Sequence, residues 1–221
     1  MANIISDNYQ LIQVMSRFGI PVGFGDKTVE ETCRINGVDC NTFLTVVNFV
    51  MDGFAIYDSA PDVSLESLLH YLRQSHIYFI EYFLPEIRRK LIEGISLRSD
   101  DVSFLILKFF DEYLREVRTH MEYEEKTVFK YVRSLIDGSD CTDYKITTYS
   151  DHHEQVNLKL KELKSLIIRY CPEPSDTNTL NDALYNIYRC EEELKSHCQV
   201  EDCLLVPAIM QLERSRLKDN L

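Results

Sequence analysis

The chain has 221 residues, enough for one helical bundle with a small appendage or for two modest domains. Hydrophobic residues make up 45%, while 7 Gly and 6 Pro are few breakers for this length, and runs of alternating Val, Ile and Thr are missing; an all-α chain is expected. The formal net charge of −12 repels phosphate backbones and argues against nucleic acid as a partner. No stretch approaches a membrane span, and no basic region followed by an apolar run opens the chain. A soluble, cytoplasmic protein is expected.

Residues 1–52 read as a small N-terminal helical domain. Leu11, Ile12, Val14, Met15 and Phe18 give Asn8–Phe18 a helical rhythm, broken by the glycines and proline of residues 19–25. Thr28 followed by Glu31 is a capping box, which predicts a helix from Val29 that Gly37 ends. A third helix, capped by Asp39 or Asn41, carries Phe43, Leu44, Val46, Val47 and Phe49. Residues 53–63 read as a linker, and Ser64 as the cap of the next helix.

Residues 64–221 then hold four long helical patterns, placed near 64–94, 100–136, 145–170 and 177–213. The breaks between them are short, so neighbours run antiparallel in an up-down-up-down four-helix bundle.

Two of these helices carry the same motif. His120 and Glu124 stand four apart on the second, and His197 and Glu201 stand four apart on the fourth. Helical positions four apart share a face, so one imidazole and one carboxylate can aim at one point. A single pair of this kind arises by chance and usually faces solvent. Two copies on alternate helices are more specific, and the test is whether the other two helices offer ligands at the same depth. His76 lies about 22 residues before the centre of the first loop and His120 about 22 after it; His153 and His197 lie about 21 and 23 from the centre of the third. Alone, His76 in its apolar stretch would read as a core histidine. His70, six residues earlier, points elsewhere on the helix. Of the adjacent His152 and His153, one must point away from any shared site.

Four imidazoles and two carboxylates suit a dinuclear centre, in which glutamates bridge two ions and each ion takes two histidines. Iron fits this set, with manganese or zinc as competitors. A single zinc would leave part of the set unused. The seven cysteines form no C-x-x-C pair and read as reduced thiols, with Cys198 and Cys203 as small core residues rather than ligands.

Together these residues resemble the hemerythrin-like di-iron proteins and, among them, the repair-of-iron-centres family, over the whole chain. The matching features are His76 with Leu84-Pro85-Glu86-Ile87 on the first helix, His120 with Glu124 on the second, His153 with Glu154 on the third, and His197 with Glu201 then Val206-Pro207 on the fourth. The resemblance selects His153 over His152. It implies a metal set of His76, His120, Glu124, His153, His197 and Glu201 around two oxo- or carboxylate-bridged irons, with Glu124 and Glu201 bridging. Glu116 and Glu125 are expected behind the ligands. Two departures stand out. Asn157 occupies the place where oxygen carriers put a further histidine, and Val22-Gly23-Phe24-Gly25 stands where the repair family carries adjacent cysteines.

What the resemblance implies is binding of NO or O2, or donation of iron, in the protection or repair of iron–sulfur proteins under nitrosative or oxidative stress. The alternative is a sensor or store of O2, NO or iron without turnover. Consumption of NO under reducing conditions separates the first from the second. The apolar third N-terminal helix could serve a homodimer.

Overall fold

A computed structural model describes residues 1–51, 62–95, 101–139, 144, 146, 149 and 153–219, with backbone alone at 153–158 and 217–219. The expected linker over 53–63 falls almost wholly outside the described residues. Two compact units form, one from Met1–Ser75, Thr127–Thr148 and Ser196–Leu221, the other from His76–Lys126 and Tyr149–Lys195. All regular structure among the described residues is helical.

In the first unit, α1 (Ala2–Asp7), α2 (Leu11–Arg17), α3 (Val29–Ile35) and α4 (Cys40–Met51) succeed one another. The helix expected over Asn8–Phe18 begins only at Leu11. Asn8 is extended and its Oδ1 accepts the Gln10 N–H at 3.1 Å, a local turn that competes with helix. The capping box before α3 forms in full, with Glu31 N–H on Thr28 Oγ1 and Thr28 N–H on Glu31 Oε2. Asp39 rather than Asn41 caps α4, accepting the Thr42 N–H at 2.8 Å. The Asn41 amide instead reaches the Asp62 carbonyl at 2.6 Å. Phe18 packs between Phe43 and Tyr71, with ring centroids 5.4 and 4.9 Å away. Of the apolar positions read from the sequence, Leu11, Val14, Met15, Phe18, Phe43, Val46, Val47 and Phe49 are buried, while Leu44 is half-buried and Ile12 is exposed.

The second unit contains segments of the four long helices. The first long helix is α5 (Leu65–Ile77), a wider stretch π1 (Tyr78–Phe83) and α6 (Leu84–Gly94). The second is α7 (Asp101–Tyr123), π2 (Glu124–Val128) and α8 (Phe129–Ile136). The third is α9 (His153–Tyr170), and the fourth is α10 (Thr177–Val200), π3 (Glu201–Leu205) and α11 (Val206–Asp219). Ser64 and Asp176 cap the first and fourth. The third helix, expected from residue 145, is described from His153; residues 145, 147, 148 and 150–152 lie outside the described residues.

Ion pairs fix the order of helices in this unit. Arg88 grips Asp111 with both ends of its guanidinium, joining first to second. Lys159 pairs with Glu116, Lys164 with Glu191, and Lys90 with Asp182. Each helix therefore meets the next, and the first meets the fourth. Residue numbers run oppositely across the seam of first and fourth, at Glu93–Ser175, Lys90–Asp182 and Tyr78–Arg189, across that of first and second, at Arg88–Asp111 and His76–Glu125, and across that of second and third, at Glu116–Lys159 and Glu124–Tyr149. The bundle is up-down-up-down. The Lys164–Glu191 pair is the more buried one, and the solvated pairs among these add little stability each. The hydrophobic effect does that work, through Phe79, Phe83, Ile87, Leu91, Ile106, Phe110, Leu163, Ile187 and their buried neighbours.

A candidate metal centre on the widened helices

Three of the four long helices leave α-helical register at a candidate ligand. His76 lies two residues before π1, Glu124 opens π2 and Glu201 opens π3. At the ends of two of these stretches, Leu84 N–H donates to the Phe79 carbonyl and Val206 N–H to the Glu201 carbonyl, five residues back instead of four. Such widened turns concentrate at functional sites because they re-aim side chains.

Glu124 is completely buried. Its Oε1 lies 3.0 Å from His120 Nε2 and accepts the Tyr149 O–H at 2.5 Å. Its Oε2 lies 3.3 Å from His76 Nε2. His76 is buried as well, and its Nδ1 faces Glu125 Oε1 at 3.1 Å. A neutral imidazole that donates Nδ1–H to Glu125 keeps its Nε2 lone pair for a metal, the arrangement by which carboxylates orient ligating histidines. On the fourth helix, His197 Nε2 lies 3.3 Å from Glu201 Oε1, both residues being buried.

One ligand atom each from His76, Glu124, His197 and Glu201 lies within 4.8 Å of all the others. His120 reaches this group through Glu124. His153 begins α9, but its side chain lies outside the described residues, as does His152 altogether. Glu116, expected behind the ligands, instead pairs with Lys159 on the bundle surface. His70 is exposed. Tyr149 was not anticipated; nothing in the spacing of a lone tyrosine ahead of the third helix marks it.

The donor set fits a metal ion. Burying a carboxylate costs several kcal/mol unless a cation compensates it, and here two fully buried carboxylates stand among imidazoles. Mixed nitrogen and oxygen donors suit iron, manganese or zinc. No cysteine belongs to the group among the described residues. Six of the seven cysteines are described, and none of the six forms a disulfide; Cys141 lies outside.

Residues 67–209 match the model of the hemerythrin HHE cation-binding domain. The chain belongs to this family. The matched span runs from α5 into α11 and includes all six candidate ligands. A hemerythrin domain accounts for the bundle, for the repeated His-x3-Glu and for buried carboxylates that need a cation. Comparison with curated proteins returns no match. No helix among the described residues is long and apolar enough to cross a membrane.

Proposed function

We propose that this hemerythrin-type domain holds two iron ions through His76, His120, Glu124, His153, His197 and Glu201, and uses them on NO or O2. The observation that carries the reading is the convergence of buried imidazole and carboxylate donors from His76, Glu124, His197 and Glu201 within 4.8 Å. Bound iron would supply redox chemistry and a position for a diatomic ligand. The protein's part is to hold the imidazoles neutral and the carboxylates ionised in an apolar shell. The service we infer is protection or repair of iron–sulfur proteins in the cytoplasm under nitrosative or oxidative stress, as in a repair-of-iron-centres protein. Val22-Gly23-Phe24-Gly25 in place of adjacent cysteines favours a second reading, a sensor or store without turnover.

Metal analysis and the optical spectrum of protein grown with iron test the first claim. About two irons per chain are expected from this ligand set. Less than about half an iron per chain after anaerobic reconstitution would overturn it. Net NO consumption by the reduced protein supports turnover; reversible binding without consumption supports the sensor.

A further inference from the structure

Among the described residues outside the six candidate ligands, Tyr149 is a buried polar side chain that reaches Glu124. Tyr149, in the connection ahead of α9, is 1% exposed and donates its hydroxyl to Glu124 Oε1 at 2.5 Å. The terminal torsion of a glutamate is broad and roughly two-fold, so burial alone does not fix the plane of its carboxylate. A charge-assisted O–H···O⁻ bond does, and it is among the stronger hydrogen bonds a protein makes. His120 Nε2 stands 3.0 Å from the same oxygen, while His76 Nε2 stands 3.3 Å from the other. We propose that Tyr149 is a positioning residue for Glu124: its phenol sets the carboxylate plane before any metal arrives, so that both oxygens face their histidines. This rests on the metal-binding reading above. The tyrosine is not itself a ligand in this assignment, and its ring packs in the core whether or not the hydroxyl is present.

The test uses the full chain, cobalt(II) as an optical probe, and Tyr149→Phe, which keeps the ring and removes the donor. Loss of such an outer partner lowers metal affinity about tenfold or more. We expect that loss by chelator competition and a changed cobalt absorption envelope, with a lower thermal midpoint of the metal-free protein because a buried carboxylate oxygen loses its donor. Equal affinity with an identical cobalt spectrum would remove the role. So would weaker binding with an unaltered cobalt spectrum, which leaves the ligand geometry as it was. A tyrosinate-to-iron charge-transfer band in the ferric protein, lost in Tyr149→Phe, would make Tyr149 a ligand and overturn the assignment. If Tyr149→Phe does not fold, 3-fluorotyrosine at this position keeps the ring and strengthens the donor; unchanged affinity there counts against the proposal. Failure of the unsubstituted chain to bind cobalt or iron would remove the metal reading itself, whereas normal binding by both proteins would remove only Tyr149.

Discussion

Glu124→Gln isolates the reason for a buried carboxylate in this bundle. The amide keeps the shape of the side chain and an oxygen that can accept the Tyr149 hydroxyl, but it removes the charge. Glu124 is completely buried, 3.0 Å from His120 and 3.3 Å from His76, so a cation there would meet its carboxylate in a poorly screened setting. Metal at 100 times its Kd stabilises a folded protein by about 2.7 kcal/mol. If the amide weakens binding about 100-fold, the same metal concentration equals the variant's Kd, and the gain falls to about 0.4 kcal/mol. For a chain of this size, 1 kcal/mol moves the midpoint by about 2–4 °C. Calorimetry with anaerobic ferrous iron should therefore show a rise of about 5–11 °C in the unsubstituted protein and about 1–2 °C in the variant. Because each protein is compared with its own metal-free form, any change in intrinsic stability cancels. Equal metal-induced shifts would refute the claim that Glu124 is present for a cation.

His120→Ala and Glu201→Ala should each lower iron content after reconstitution, whereas His70→Ala, at an exposed position, should not; equal loss from His70→Ala would mean that His76 is the wrong first-helix histidine. A Cβ added at Gly94 would lie 2.7 Å from the Leu180 backbone nitrogen, so Gly94→Ala must push the first and fourth helices apart and should cost about 1–3 kcal/mol in denaturant melts. Burial, with Cys40 alongside, pushes the Cys33 thiol up to about 12 from 9.0. The thiol should resist iodoacetamide at pH 9 in the folded protein, and its contribution to stability should be fully present below pH 9 and disappear between about 9 and 12. Hydrogen bonds from Thr179 and Asn178 hold the Asp176 carboxyl below its ordinary range. The stability difference between Asp176 and Asp176→Ala should therefore be present at neutral pH and vanish in acid melts as pH falls through the lowered value.

Much of this fold is written in the chain because the determinants are local. The Thr28–Glu31 box, Ser64 and the apolar rhythm of the long helices act within one or two turns, and each element they predict is present. The two His-x3-Glu pairs are equally local, and each puts its imidazole about 3 Å from its own carboxylate. Features that depend on distant partners are not legible in this way. Asp39 and Asn41 are equivalent as caps until Asn41 finds the Asp62 carbonyl, and Glu116 and Glu125 are equivalent until Lys159 takes one and His76 the other. Tyr149 reaches Glu124 across 25 positions, with no periodicity to announce it.

The widened turns stand between these cases. Proline has no N–H, and inside a helix its ring clashes with the carbonyl four residues back. Pro85 lies beyond π1 and Pro207 beyond π3 at the same offset, each two residues past the end of the wide stretch. For Pro85 the clashing carbonyl would be that of Glu81, and for Pro207 that of Cys203; both lie inside the stretch where the helix has opened. Neighbouring pairs are buried at the ends of π1 and π3, Phe83-Leu84 and Leu204-Leu205, as they also are in regular helix at Leu68-Leu69 and Tyr71-Leu72. Val128-Phe129 shows the same doubling at the end of π2, where no proline stands. Proline therefore accounts for two of the three openings. What π2 shares with the others is a candidate ligand at or within two residues of its start, so the widening accompanies candidate ligands on all three helices and a proline on two.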